Sequence, residues 1–194
     1  MRIGHLELQK SLFENYELGS SYCRTMYEMG GVCIYVQESL NYVRLDLEKY
    51  CQDKNFAVCA IKIHLDTKSV CIIAIYRAPS GNFDLFLSKF DVIRNLYTAT
   101  LEYIVCGDIN IDYLNDSDRK NWLDALLKTY NLKSVVNFPT RIQKNSATVS
   151  DNIFIDTSKM GNYSISPIIN GLSDHDAQLI ILHSYNSRPP SKKI

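Results

Sequence analysis

Seven short β-rich runs set off by turns leave this chain few folds to choose from: Gly31 to Val36, Phe56 to Leu65, Val70 to Tyr76, Tyr103 to Cys106, Val135 to Phe138, Thr148 to Ile155 and Ala177 to His183. They require a sheet. In the first long run Lys62, His64 and Asp66 alternate with Ile61, Ile63 and Leu65, which predicts one solvent-facing side, whereas Cys71-Ile72-Ile73-Ala74-Ile75 reads as buried on both. Two stretches have the helical period instead. Phe83, Phe86, Phe90, Ile93 and Tyr97 recur at three- and four-residue steps after Asn82, a suitable cap, and Trp122, Leu123, Leu126, Leu127 and Tyr130 form a second apolar stripe after Asp116. Mixed strands with interspersed helices predict a layered α/β domain of two sheets packed face to face, with helices outside.

With 194 residues, 46% of them hydrophobic, the chain can bury one substantial core, and a single domain over residues 1–186 with a disordered tail at 187–194 is expected. Basic and acidic residues balance at 21 each, so any nucleic-acid contact must come from a local patch and not from a global field. The six cysteines form no C-x-x-C pair, and Cys33, Cys59, Cys71 and Cys106 lie in apolar runs, which suits reduced core thiols. With no apolar stretch of signal-peptide kind and none long enough to span a bilayer, an intracellular setting is expected, the nucleus included.

Two acidic motifs sit where strands meet loops. Gly107-Asp108-Ile109-Asn110 follows Tyr103-Ile104-Val105-Cys106, and Ser173-Asp174-His175-Asp176 precedes Ala177-Gln178-Leu179-Ile180-Ile181-Leu182. Rigid strand ends present polar groups to a substrate. Asp108 could orient a water and take its proton while the amide of Asn110 donates to a phosphoryl oxygen; an ordinary Asp-x-Asn turn accounts for the same residues. His175 can hydrogen-bond a developing oxyanion, but its neighbours Ser173 and Asp174 are consecutive with it and cannot form a relay. If His175 is catalytic, its orienting carboxylate must come from elsewhere, and Asp151 is the candidate; a solvated loop histidine and a surface turn carboxylate account for the same two residues. Tyr76 and Arg77 end another strand, where a phenol and a guanidinium can both address phosphate. The polar loop carrying Arg141 and Lys144 is either a phosphate contact or a solvated loop.

Together these segments resemble the endonuclease/exonuclease/phosphatase superfamily, and within it the apurinic-type endonuclease domain of non-LTR retrotransposons. The resemblance is carried by Gly30-Gly31-Val32-Cys33-Ile34-Tyr35-Val36, Ile75-Tyr76-Arg77-Ala78-Pro79, Gly107-Asp108-Ile109-Asn110, Pro139-Thr140-Arg141 with Ser146-Ala147-Thr148, Asp151-Asn152-Ile153 and Ser173-Asp174-His175. It implies a four-layered α/β sandwich with two mixed sheets, and a DNA-nicking phosphodiesterase assisted by Mg2+ or Mn2+. The implied catalytic residues are Asp108, Asn110, His175, Asp151 and Tyr76, with Asp174 as metal ligand and Arg77, Arg141, Lys144 and Ser173 as nucleic-acid contacts. A reverse transcriptase domain is expected in a full-length parent element.

One departure stands at the front. Family domains begin with a strand bearing an asparagine and continue to a metal-ligating glutamate, whereas this chain opens at Met1-Arg2-Ile3-Gly4-His5-Leu6-Glu7, which resembles the segment after that glutamate. The N-terminal strand is therefore expected to be lacking and activity weakened, Glu7 being a surface charge. The alternative is an inactive retroelement remnant with at most weak nucleic-acid binding.

Overall fold

The computed structural model describes residues 14–24, 30–66, 68–96, 101–169, 171 and 173–183. Tyr97, Glu7 and the tail at 187–194 lie outside them. The strands are β1 (Tyr16–Cys23), β2 (Gly31–Gln37), β3 (Tyr42–Leu45), β4 (Phe56–His64), β5 (Ser69–Arg77), β6 (Glu102–Asp108), β7 (Lys133–Ser134), β8 (Arg141–Gln143), β9 (Ser146–Thr148), β10 (Asp151–Ile155), β11 (Tyr163–Ile168) and β12 (Ala177–Leu182). The helices are α1 (Phe83–Leu96), α2 (Asp118–Thr129) and the single turn α3 (Thr157–Met160).

A six-stranded mixed sheet in the order β3-β4-β5-β6-β10-β7 forms the centre. Only β5 and β6 run parallel, joined by α1 as crossover; the other pairs are antiparallel. Alternation along the strands divides its residues between two cores. On one face Val58, Ala60, Ile73, Ile75, Tyr103, Val105 and Phe154 pack against α1 and α2. On the other, Ile72, Ile104, Ile153 and Ile155 pack against Ile165, Ile180 and Leu182 of the β11–β12 pair. The β1–β2 pair covers the same face further along, where the Cys59 thiol approaches the Ser20 carbonyl at 3.6 Å.

The architecture is thus the expected sandwich, with one difference. The second layer consists, among the described residues, of two separate two-stranded ribbons, β1–β2 and β11–β12. Between them Ile72, Ala74 and Cys106 are only half-buried, so β5 is fully enclosed on its helix face alone, not on both.

The helices follow their sequence signals in part. Asn82 caps α1, its side chain accepting from the Leu85 amide at 2.9 Å, and Phe83, Phe86, Phe90 and Ile93 are buried. Each such side chain contributes about 1.5–3 kcal/mol of burial. Ser117 caps α2 by accepting from the Lys120 amide, and Leu123 and Leu127 form its buried stripe. Trp122, expected in that stripe, is 56% exposed and stacks on Phe83 with centroids 6.1 Å apart. The expected strand over Val135 to Phe138 is also corrected: the edge strand is the two-residue β7 just before it, and Val135 and Val136 are buried in irregular backbone. The run from Thr148 to Ile155 is broken at Val149-Ser150 into β9 and β10. All six cysteines are unpaired; Cys59 and Cys71 are buried core thiols, while Cys33 is exposed and so is not one. Among the described residues no helix is long and apolar enough to cross a membrane.

Candidate active site

Asp108 ends β6 and Asp151 begins its antiparallel neighbour β10, and the two are partners in register. Tyr76 is paired with Asp108 in the parallel register on the other side. Because Gly107 and Ile75 point to the helix face, alternation turns Tyr76, Asp108 and Asp151 to the opposite face, at one end of the sheet.

This close alignment needs glycine at 107. Its φ is +137°, and a Cβ there would lie 1.9 Å from the Ile75 carbonyl oxygen. Immediately after Asp108 the chain turns sharply. Asn110 adopts φ 49°, its amide N–H donates to Asp108 Oδ1 at 3.0 Å, and its side-chain Nδ2 donates to the Arg77 carbonyl at 2.8 Å. Asn110 and Asp108 are therefore one turn, with the Asn110 backbone and side-chain amides both hydrogen-bonded to the Asp108 carboxylate.

Arg77 builds the same turn from inside. It is fully buried and donates from Nε to the Ile109 carbonyl at 2.6 Å, from Nη2 to the Asn110 carbonyl at 2.6 Å, and from Nη1 to the Ala78 carbonyl at 3.1 Å. The expected phosphate contact at Arg77 is thereby corrected: its donors face main-chain carbonyls in the interior, out of reach of a ligand. Desolvation lowers its pKa, since burial penalises the charge.

His175 arrives on the loop before β12. Residues 140–142 and 174–176 are stitched together, with the Ile142 amide donating to the Asp174 carbonyl and the Asp176 amide to the Thr140 carbonyl, each at 2.8 Å. This holds the imidazole against β10, where His175 Nδ1 lies 2.8 Å from Asp151 Oδ2. The same oxygen accepts from Thr140 Oγ1 at 3.2 Å and Ser150 Oγ at 3.1 Å, so the carboxylate is fixed from three sides. Thr140, fully buried, was not anticipated as a site residue; its place in Pro139-Thr140-Arg141 was the only signal.

Asp108, Asp151 and His175 bring ligating atoms within 4.8 Å of one another, and they are the cluster of this kind among the described residues. Burial, with the nearby Asp151 charge second, pushes the Asp108 carboxyl up to about 6. Two facing carboxylates and an imidazole form a donor set that suits a divalent cation, whose charge would relieve this repulsion.

Asp174, expected as metal ligand, is outside the cluster. Its Oδ2 accepts from Arg141 Nε at 2.7 Å and Gln143 Nε2 at 2.8 Å, and these hydrogen bonds hold its carboxyl at about 2. Consecutive residues in extended backbone point apart, so the side chain beside His175 faces the β8–β9 hairpin. Lys144 is exposed in the turn of that hairpin, and Ser173 Oγ accepts from the His175 amide at 3.0 Å, bracing the loop. Arg24, also not anticipated, lies 5.7 Å from the Tyr76 ring centroid, and Gly30, at φ +93°, leaves the room both side chains occupy.

No protein-family model matches the chain, and no curated protein sequence matches it. Solved structures do match. The endonuclease domain of TRAS1, a telomere-specific non-LTR retrotransposon, superposes with TM-score 0.68 over 87% of this chain and 78% of that one, at 14% identity. An endonuclease/exonuclease/phosphatase family protein from Leptotrichia buccalis gives 0.59 over 90% and 74%, also at 14% identity. TDP2 from D. rerio, complexed with single strand DNA product, gives 0.51 over 85% and 74% at 12% identity. The chain thus has the endonuclease/exonuclease/phosphatase fold. Among these likenesses is a retrotransposon endonuclease domain.

Proposed function

We propose that this chain is a member of the endonuclease/exonuclease/phosphatase superfamily that hydrolyses phosphodiester bonds in DNA. The observation that carries the reading is the 2.8 Å contact between His175 Nδ1 and Asp151 Oδ2 beside Asp108, at the strand ends of this fold. An oriented imidazole and a carboxyl poised near neutrality are what water attack on a phosphodiester needs.

In this reading the Asp108 carboxylate, held by the Asn110 amide, orients the attacking water and accepts its proton. His175, with Nδ1 tied to Asp151, turns Nε2 toward the phosphate and donates to the oxygen on which charge develops. Asn110 braces the Asp108 carboxylate beside the phosphate, and Tyr76 completes the rim. Asp108 and Asp151 would hold a divalent cation, Mg2+ or Mn2+, whose contribution is to neutralise charge on the phosphate. Arg141 keeps two terminal amino groups beyond its pairing with Asp174 and, with Lys144 and the Ser173 loop, offers the DNA backbone a local basic patch. The TRAS1 and TDP2 likenesses support DNA as substrate, and the former supports a retroelement parent bearing a reverse transcriptase.

A second reading, DNA binding without cleavage, is favoured by one observation: among the described residues the cluster contains no glutamate. The two are separated by incubating the protein with supercoiled plasmid and Mg2+. Nicking abolished by a chelator and by Asp108→Ala with His175→Ala supports the enzyme; a folded protein that retards the plasmid but leaves it intact supports the binder.

A further inference from the structure

The central sheet ends in an open edge. β7 is its last strand, paired with β10 on one side and with no described strand on the other. The Val135 amide donates to the Ile153 carbonyl at 3.0 Å, so alternation turns the N–H and C=O of Ser134, one residue back, away from β10. No described main-chain group meets them. Along this edge runs a groove of about 850 Å3, walled on one side by residues 131–134, 136 and 137 and on the other by Lys120, Asp124 and Lys128, which form one stripe of α2 at four-residue steps. That stripe is about 12 Å long, the span of about four residues of extended chain.

Most of the groove's charges are already matched. Asp124 accepts from the Tyr113 hydroxyl at 2.9 Å, Asp156 accepts from the Ser158 amide and hydroxyl and lies 4.0 Å from Lys159, and Lys120 is paired with Asp116 at 3.0 Å. Lys128 and Lys133 are not: both are exposed, and no carboxylate among the described residues pairs with either. They flank the edge from opposite faces. Leu132 and Phe154 pack on the helix side with α2, whereas Val135 packs on the ribbon side, and alternation puts Lys133 with Val135. A strand laid on β7 would therefore meet a positive charge on each of its faces, with apolar surface from the exposed Leu114 further along the groove.

We propose that this groove is a docking site for an extended acidic peptide of a partner protein, added to β7 as a seventh strand of the central sheet. Its main chain pairs with Ser134 and its carboxylates are held by Lys128 and Lys133. Ser134 is the register partner of Phe154, three residues along β10 from Asp151, or about 10 Å, so a partner seated there leaves the candidate active site open.

The test is an NMR titration of the full isotope-labelled chain, in chelator, with an acetylated and amidated hexapeptide that alternates glutamate and valine. Binding tighter than about 1 mM is expected, with shifts centred on residues 131–137 and the facing stripe of α2. Lys128→Glu with Lys133→Glu should weaken it at least about tenfold, and a hexapeptide with lysine in place of glutamate should bind the unaltered chain at least about tenfold more weakly. Because an added strand pairs through one edge, N-methylating one alternate set of peptide amides should abolish binding while methylating the other set is tolerated. No binding by about 1 mM, shifts centred elsewhere, affinity indifferent to the lysine reversal, or tolerance of both methylated sets overturns the proposal. Both lysines are at the surface, so the reversed chain should fold, and an unchanged spectrum away from the groove verifies this.

Discussion

Asp108→Asn is expected to make the protein more stable at neutral pH while disabling the site. The folded carboxyl sits at about 6 instead of its ordinary 3.8, so the folded state holds this proton more tightly than the unfolded state does. The penalty for ionising it is complete above pH 6 and absent below 3.8; wild-type stability should therefore fall as pH rises between these values. A difference of that size corresponds to at most about 3 kcal/mol, and partial solvent exposure reduces the expected effect to about 1–2 kcal/mol. Asparagine keeps an oxygen to accept the Asn110 amide, so the turn should survive. Urea unfolding of both proteins in chelator at pH 7.5, 6 and 4 measures this directly. The variant should be more stable by about 1–2 kcal/mol at pH 7.5, with the gain shrinking toward zero at pH 4. Added Mg2+ should stabilise the wild type at pH 7.5 and leave the variant unmoved. A gain independent of pH, or none at pH 7.5, would refute the claim that burial, with the Asp151 charge beside it, penalises the ionised Asp108 carboxyl.

Two further substitutions probe the scaffold of the site. Gly107→Ala drives a Cβ to 1.9 Å from the Ile75 carbonyl and is expected to cost more than about 3 kcal/mol, read as a drop in the urea midpoint or loss of folded protein. Arg77→Met leaves the carbonyls of Ala78, Ile109 and Asn110 without their donor; stability should fall by about 2–4 kcal/mol, and DNA cleavage by whatever remains folded should fall with it, because Asp108 loses its turn.

Much of this could be read from the chain and some could not, for identifiable reasons. Helix α1 was legible because the phenylalanine spacing and the Asn82 cap agree. Strand β1 was not: Tyr-Glu-Leu-Gly-Ser-Ser-Tyr-Cys has neither clean alternation nor a β-branched residue, and it is held by pairing with β2 and packing on β4. Trp122 fits the period of α2 but sits at the rim of its stripe, where stacking on Phe83 leaves most of the ring in water. In the site, the Asp151–His175 pairing was inferable because neighbours of His175 in sequence cannot reach its ring, and the contact is present at 2.8 Å. Arg77 and Asp174 misled in the same way. A charged residue beside a site motif suggests a ligand contact, yet the partner that claims it, main-chain carbonyls for Arg77 and the β8–β9 hairpin for Asp174, is distant in sequence. The Thr140 and Ser150 hydroxyls were equally invisible, since only the fold brings both onto Asp151 Oδ2.

The central claim is that Asp151 and His175 act as one unit in phosphodiester cleavage. Its most direct test is a double-mutant cycle on the rate of Mg2+-dependent plasmid nicking, using Asp151→Asn, His175→Ala and the pair. If the imidazole works only while the carboxylate orients it, each single change should slow cleavage by about a hundredfold or more and the double change should be little slower than His175→Ala alone. Losses that multiply in full, or nicking that survives all three substitutions, would contradict it.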